Sequence, residues 1–180
     1  MQLPAELLEA LRRDSLVHAR KLLTAASYDL TDAEVLCDGY GIDDPDAIPL
    51  VFWAIGQGVS LEAITLLIEH GMDLTWTNRD GLGALDIAIK HRRRDIVDLC
   101  VAHGIPLHSS RRRSGLTPLM LAASFGDFAM VDFLIERGAS IDERDKRGTD
   151  AIEYARMLGQ TKMATYLAKK RETQKEKQGV

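Results

Sequence analysis

The sequence predicts an all-α protein made by stacking about five copies of one helix-turn-helix unit. Three observations carry that expectation. The stretches GLGALDIAIKHRRRDIVDLCVAHG (81–104), GLTPLMLAASFGDFAMVDFLIERG (115–138) and GTDAIEYARMLGQTKMATYLAKKR (148–171) align without a gap. Their leading glycines, Gly81, Gly115 and Gly148, are 34 and 33 residues apart, and Gly71, Gly104 and Gly138 follow at 33 and 34. Each copy holds two short runs whose apolar residues recur every three or four positions, the mark of an amphipathic helix. One pair of such short helices buries too little surface to persist alone, so the units must stack.

The elements follow in order along the fullest copy. Thr117 is placed to N-cap the first helix, with Pro118 at its first position, where a missing N–H costs nothing. Leu119, Leu121 and Ala122 form its buried stripe, and Met130, Val131 and Leu134 form that of the second helix. Gly138 ends the second helix by supplying a left-handed residue. The paired alanines are small because the first helix of one unit must lie close against helices of its own and the next unit. Upstream, DAIPLVFWAIGQGVSLEAITLLIEHG repeats the scheme with Gly71 as its stop. Placing Ala54 and Ile55 at the paired-alanine positions keeps Trp53 out of a site for a small residue, and implies one or two inserted residues around Gly58 and Val59. Leu7, Ala10, Leu11, Ala19, Leu22 and Leu23 make a degenerate first unit. The organisation read from the chain is a capping repeat over 1–30, an acidic insertion over 31–45, repeats over 46–78, 79–111 and 112–144, a C-terminal capping repeat over 145–170, and a polar tail over 171–180 that frays or is disordered. Within the insertion, Thr31 followed by Glu34 resembles a capping box and predicts a short helix over 32–37.

The pattern resembles the ankyrin repeat, whose TPLHxA signature recurs on a 33-residue period. Thr117, Pro118, Leu119 and Ala122 match it, over a pattern that covers most of the chain. The signature His is replaced by Met120, by Asp86 in the unit before and by Glu153 in the unit after, which leaves its hydrogen-bonding role at the turn unassigned. The resemblance implies an ankyrin-repeat solenoid with finger loops between units, and a protein partner bound on the concave face that the fingers and the exposed ends of the first helices line. Carried over by position, that face collects Thr77, Arg79, Asp80, Lys90 and His91 from one unit. The next gives Arg111, Arg113, Ser114, Ser124 and Phe125, and the last gives Arg144, Lys146, Arg147, Met157 and Leu158. Trp76, in the preceding finger, either joins them or packs on its own loop.

Charge and composition narrow the function further. The chain carries a net charge of -4, which conceals an acidic first part, net -9 over residues 1–74, and a basic remainder, net +5 over 75–180. Leucines alternating with charges near the N-terminus exclude the apolar run of a signal peptide or a membrane span. Cys37 and Cys100 form no CxxC motif, as in a reducing, cytoplasmic compartment. None of the histidines, His18, His70, His91, His103 and His108, has metal-ligand spacing, and His70 and His103 suit the negative ends of helices. Asp38, Asp43, Asp44 and Asp46 fit no calcium-loop order. Cys100 sits at a core position and Cys37 among acids, neither a setting for a nucleophile. No nucleophile elbow, phosphate loop or HExxH is present, so the expectation is a non-enzyme with no cofactor, no metal and no small-molecule substrate.

Basic residues recur at equivalent finger positions in three successive units, which predicts a stripe that steers an acidic protein partner, with Phe125 and Trp76 as apolar anchors. The runs RRR at 92–94 and 111–113 would otherwise be solvated surface. The alternative is a nucleic-acid binder using the same arginines on phosphates. An isoelectric point of about 5.7 and aromatics that do not interleave with the basic residues weigh against it. Small bacterial proteins similar to this one include inhibitors and immunity proteins that plug a toxin or enzyme, a specialisation suggested by the size of the array.

Overall fold

The structure is a computed structural model that describes residues 3–26, 28, 30–31, 33–35, 48–108 and 112–178. The chain divides into two compact units, Met1–Trp76 and Thr77–Val180. Each is built from helical hairpins, and the architecture is all-α apart from one pair of two-residue strands, as the ankyrin-repeat resemblance implies.

The first unit contains α1 (Ala5–Arg12), α2 (Leu16–Ala26), the two-residue strands β1 (Glu34–Val35) and β2 (Ile48–Pro49), α3 (Leu50–Gly56) and α4 (Leu61–Glu69). α1 packs on α2, α2 on α4 and α3 on α4, closing a core of Leu7, Leu11, Leu23, Ile55, Ile64 and Leu67. The strands pair antiparallel, with Val35 opposite Ile48 and Glu34 opposite Pro49. This corrects the helix expected over 32–37: residues 34 and 35 are strand, and residues 36–47 lie outside the described set. A six-residue helix followed by Gly39 and Gly41 could not offset its own nucleation, whereas β-branched Val35 and Ile48 suit a strand pair. The pair also leads into α3, because the N–H of Leu50 donates to the carbonyl of Ala33 at 2.8 Å.

Ala54 is fully buried, at the place in α3 that Ala122 occupies in the later helix of equal length. The α3–α4 turn is residues 57–60, one longer than the turns 91–93, 125–127 and 158–160 that join later hairpins. That extra residue is the insertion expected near Gly58 and Val59. Ser60 caps α4 by accepting the N–H of Ala63 at 3.1 Å.

The second unit stacks three hairpins: α5 (Ala84–Lys90) with α6 (Arg94–Ala102), α7 (Pro118–Ser124) with α8 (Phe128–Glu136), and α9 (Ala151–Met157) with α10 (Thr161–Gln178). The inner helices pack in sequence, α5 on α7 and α7 on α9, each also against its own outer helix. Ala88, Ala122 and Ala155 fall at the same position in successive inner helices and are fully buried, so the small side chain is what permits the close approach. Met130, Val131 and Leu134 on α8, and Met163, Ala164 and Leu167 on α10, seal the outer layer. α10 continues as helix to Gln178 rather than ending near 170. Its Lys, Glu and Gln residues favour helix, and Arg171 anchors it to Asp150 at 3.1 Å.

The role left open by the missing signature histidines is filled locally. Each inner helix begins with a hydrogen bond from the N-cap N–H to the side chain three residues on: Gly83 to Asp86 at 2.9 Å, Thr117 to the Met120 sulfur at 3.4 Å, and Asp150 to Glu153 at 3.0 Å. Thr117 and Asp150 return the bond to the N–H of Met120 and Glu153. The last two are reciprocal caps, whereas Gly83 has no side chain to return the bond, and three different side chains, Asp86, Met120 and Glu153, fill the one position.

One turn of the second unit carries strain that sequence reasoning did not find. Arg92 has φ +59, at the position held by Gly126 and Gly159 in the next two hairpins. A left-handed conformation costs an L-residue about 1–2 kcal/mol, and the exposed ion pair of Arg92 with Asp127 at 3.3 Å offsets at most about 1 kcal/mol of that. Arg92→Gly is therefore expected to stabilise the protein by about 0.5 kcal/mol and raise Tm by about 1–2 °C. A thermal melt checks it, and a lower Tm would mean that the ion pair outweighs the strain.

Candidate interaction surface

The fingers of the second unit are tight turns with named closures. In the first, Thr77 bridges to Gly83 and the N–H of Asn78 donates to the Leu82 carbonyl at 3.0 Å. The Asn78 side chain accepts the N–H groups of Asp80 and Leu82, both at 2.9 Å. In the third, Asp145 takes the corresponding position. Its carboxylate accepts the N–H groups of Arg147 and Thr149 and the hydroxyl of Tyr154, each at 2.8 Å. Burial works against that charge, but the Thr149 N–H, the Tyr154 hydroxyl and the Arg147 N–H prevail and hold Asp145 below the usual carboxylate range. In the second finger, Arg112 stands there instead and reaches back to Asp86 at 2.9 Å.

Backbone bonds tie one finger to the next. The N–H of Arg113 donates to the Asp80 carbonyl at 3.0 Å, and that of Lys146 to the Ser114 carbonyl at 3.1 Å. The donor and acceptor occupy the same two finger positions in both links, so the fingers join in one register. Arg79, Arg113 and Lys146 are thereby equivalent residues of adjoining fingers. All three are exposed, and none has an ion-pair partner among the described residues.

At the far ends of the inner helices lies a second row: Lys90 and His91, then Ser124 and Phe125, then Met157 and Leu158. Phe125, Met157 and Leu158 are 45%, 69% and 57% exposed, apolar surface set among polar neighbours. Ser124 is partly buried and donates to the Leu121 carbonyl at 2.7 Å.

Other sequence-predicted residues are placed differently. Arg144 is bound to its own finger, donating to the Gly148 carbonyl and lying 3.7 Å from Asp150 and 3.8 Å from Glu153. Arg147 is exposed beside the buried Asp145. Asp80 contributes its carbonyl to the finger link and leaves its side chain exposed. Trp76 belongs to the first unit, where it packs edge-on against Phe52 with ring centres 5.4 Å apart. It lines a cavity of about 50 Å³ with Leu50 and Met72. Packing on its own surroundings is thus its observed state. Arg111 lies outside the described residues. The run 92–94 is engaged within the protein: Arg92 with Asp127, Arg93 with Asp95 at 2.6 Å, and Arg94 over the Phe133 ring at 5.5 Å.

Between the second and third fingers is a cleft of about 250 Å³ lined by His108, Gly115, Thr117, Glu143, Arg144, Asp145 and Lys146. The Oε2 of Glu143 is buried there without a hydrogen-bond partner among the described residues. Burial pushes the Glu143 carboxyl up, and the charge of His108 pulls it partly back. A raised folded value means that ionisation opposes folding. The penalty is absent below the ordinary value of 4.5 and fully present above the folded one. Glu143→Gln is expected to raise Tm at pH 7, with the advantage vanishing as the pH falls below about 4.5. Melts at several pH values test this, and a pH-independent difference would contradict it.

Sequence reasoning missed a network across the outer helices. The Phe133 ring meets the guanidinium groups of both Arg94 and Arg137, and Arg137 pairs with Asp98. Asp132 accepts from Lys170 at 2.6 Å and from the Tyr166 hydroxyl at 2.6 Å. Burial opposes the Asp132 charge, yet the Lys170 and Tyr166 bonds hold the carboxyl below its usual range. The available signal was spacing: Tyr166 follows Asp132 by 34 residues, one repeat, and Lys170 follows it by 38, one repeat and one helical turn.

No group of three or more His, Cys, Asp or Glu among the described residues could hold a metal ion. Asp38, Asp43, Asp44, Asp46 and Cys37 lie outside that set. His70 and His103 close their helices, each ring Nδ1–H donating to the carbonyl four residues back at 2.9 Å. Burial, then the charge of Asp86, push the Cys100 thiol up to about 12, far from a nucleophile's range. Among the described residues, no helix is long and apolar enough to cross a membrane.

Stacked helical hairpins joined by hydrogen-bonded fingers define a helical repeat protein. A family model described as ankyrin repeats (3 copies) matches residues 100–178, so the chain carries ankyrin repeats over that stretch. Ankyrin repeat and SAM domain-containing protein 6 of Danio rerio is 26% identical over 169 residues, covering 73% of this chain and 23% of that protein. Glycerophosphocholine phosphodiesterase gde1 of Schizosaccharomyces pombe is 34% identical over 101 residues, covering 56% of this chain and 9% of that protein. Protein HOS4 of Saccharomyces cerevisiae is 33% identical over 69 residues, covering 38% of this chain and 6% of that protein. The chain thus spans less than a quarter of each of these relatives. Ankyrin repeats mediate protein–protein interaction, and the repeat domain itself is a non-catalytic fold.

Proposed function

We propose that this chain binds an acidic surface of another protein through the finger row and inner-helix ends of its second unit, in the cytoplasm, and acts by occupying that surface, as an inhibitor or immunity protein does. The observation that carries it is the aligned row of Arg79, Arg113 and Lys146, exposed and without ion-pair partners among the described residues. Three like charges held in one register raise the free energy of the unbound face and speed the approach of an acidic partner. Phe125, Met157 and Leu158 supply apolar area beside them, the combination from which binding hot spots are made. Lys90 and Arg147 extend the positive side, with His91 beside Lys90; Asp80 and Ser124 belong to the same two rows, Arg111 lies outside the described residues, and Arg144 and Trp76 are engaged within the protein.

The test is capture of partners by the wild-type protein and by a variant carrying Arg113→Glu and Lys146→Glu, with Lys162→Glu on α10 as a control. A protein retained by the wild type and the control but lost by the double variant supports the proposal. Partners held equally by all three remove it. Nucleic acid retained with a steep loss between low and moderate salt would replace it, because phosphate contacts release counterions.

A further inference from the structure

We infer that the element bound on this face is an amphipathic α-helix of the partner, lying across the repeats, with an acidic residue at every seventh position turned to the fingers and apolar residues on its flank turned to Phe125 and Leu158. This rests on the acidic-partner reading and goes further by fixing the partner's geometry.

The pitch of the row comes first. The first finger is a hairpin, closed by the Thr77–Gly83 bridge, and each later finger joins the one before it through a backbone bond. Two chain passes per finger at about 4.8 Å each place equivalent residues about 10 Å apart, the spacing also of packed helices. An α-helix returns to the same face after seven residues, about 10.5 Å. Carboxylates at that interval stay in step with Arg79, Arg113 and Lys146. A β-strand repeats its face about every 6.7 Å and falls out of step by the second finger.

Width decides between the remaining shapes. The inner helix α7 has seven residues between Thr117 at the finger side and Phe125 at the far end, so the two rows are separated by at least about 10 Å. A polyproline segment keeps the pitch, at about 9.3 Å per turn, but is too slim to touch both rows. A helix 10–12 Å across fills the strip. The far row also has a polarity: Lys90 and His91 at the first level, Phe125 at the second, and Met157 with Leu158 at the third. The bound helix is therefore acidic on both flanks at one end and apolar on the far flank at the other.

The experiment is a fluorescence-anisotropy titration of the full chain with labelled peptides of about 20 residues and equal composition. One has glutamate at every seventh position and leucines on the flank, made in both chain directions; another has glutamates at every third position in a proline-rich background; the last is scrambled. The helical peptide, in one direction, is expected to bind at least tenfold more tightly than the others, to lose at least tenfold on Arg113→Glu, and to weaken several-fold on Phe125→Ala. If the proline-rich or scrambled peptide binds as tightly and is still lost on Arg113→Glu, the helix is wrong and the acidic-partner reading stands. If no peptide binds, or binding ignores Arg113→Glu, both are overturned.

Discussion

Reversing Arg113 and Lys146 together is expected to weaken binding of an acidic partner by about thirtyfold to a thousandfold. Neither side chain has an ion-pair partner among the described residues, so the substitutions break no ion pair inside the protein. An exposed ion pair is worth up to about 1 kcal/mol, and a reversal both removes that attraction and adds a comparable repulsion. Two reversals then cost about 2–4 kcal/mol, at 1.4 kcal/mol per tenfold. Much of the loss should fall on the association rate, which the finger charges steer, and the wild type should be far more salt-sensitive than the variant. Surface plasmon resonance at two ionic strengths reads both quantities. Unchanged affinity, with Tm also unchanged, would dismiss the row as an interaction site.

The second large effect is expected at Gly115. It adopts φ +82, and a Cβ there would lie 2.8 Å from the Lys146 amide nitrogen and 3.2 Å from the Asp145 Cα. Both are backbone atoms of the adjoining finger, which cannot swing aside as a long side chain can. Gly115→Ala adds the left-handed penalty of about 1–2 kcal/mol to a displacement of the Lys146–Ser114 link, for a total of about 3 kcal/mol. For a chain of this length that lowers Tm by about 6–12 °C. Gly148→Ala is the control. Its φ is nearly the same, +83, but nothing stands within 4 Å of the added methyl, so only the conformational cost of about 1–2 kcal/mol applies. Equal destabilisation by the two substitutions would show that the close approach of the fingers contributes nothing.

Periodicity made the repeat architecture readable, because a repeating unit writes its buried positions several times. Ala88, Ala122 and Ala155 show this: each alone is an ordinary helix former, but at one-repeat spacing they mark where inner helices touch. The finger row was legible on the same ground, since Arg79, Arg113 and Lys146 precede equivalent glycines. The parts that could not be read are those where each unit solves its problem differently. Arg112 looked like its neighbours in a basic run, yet it replaces Asn78 and Asp145 at the base of a finger and turns back to Asp86. Arg144 has the charge expected of a binding residue, but the nearby Gly148 carbonyl and Asp150 carboxylate take it up. Pairing a charge with a partner one repeat away requires the stacking geometry, which is also why the contacts of Asp132 with Tyr166 and Lys170 stayed hidden. At Thr31 and Glu34 a local cap signal yielded to strand pairing with Ile48 and Pro49, a contact between residues too far apart in sequence for a local pattern to show.

Backbone bonds between fingers are what turn scattered cations into a row, and amide hydrogen exchange at Arg113 and Lys146 measures those bonds directly. Both amides donate to the preceding finger, at 3.0 and 3.1 Å, and are expected to exchange many times more slowly than the amide of Arg79, which has no such bond among the described residues. Exchange at Arg113 and Lys146 at the rate of an unstructured peptide would mean that the fingers move independently, and the aligned basic face would not exist.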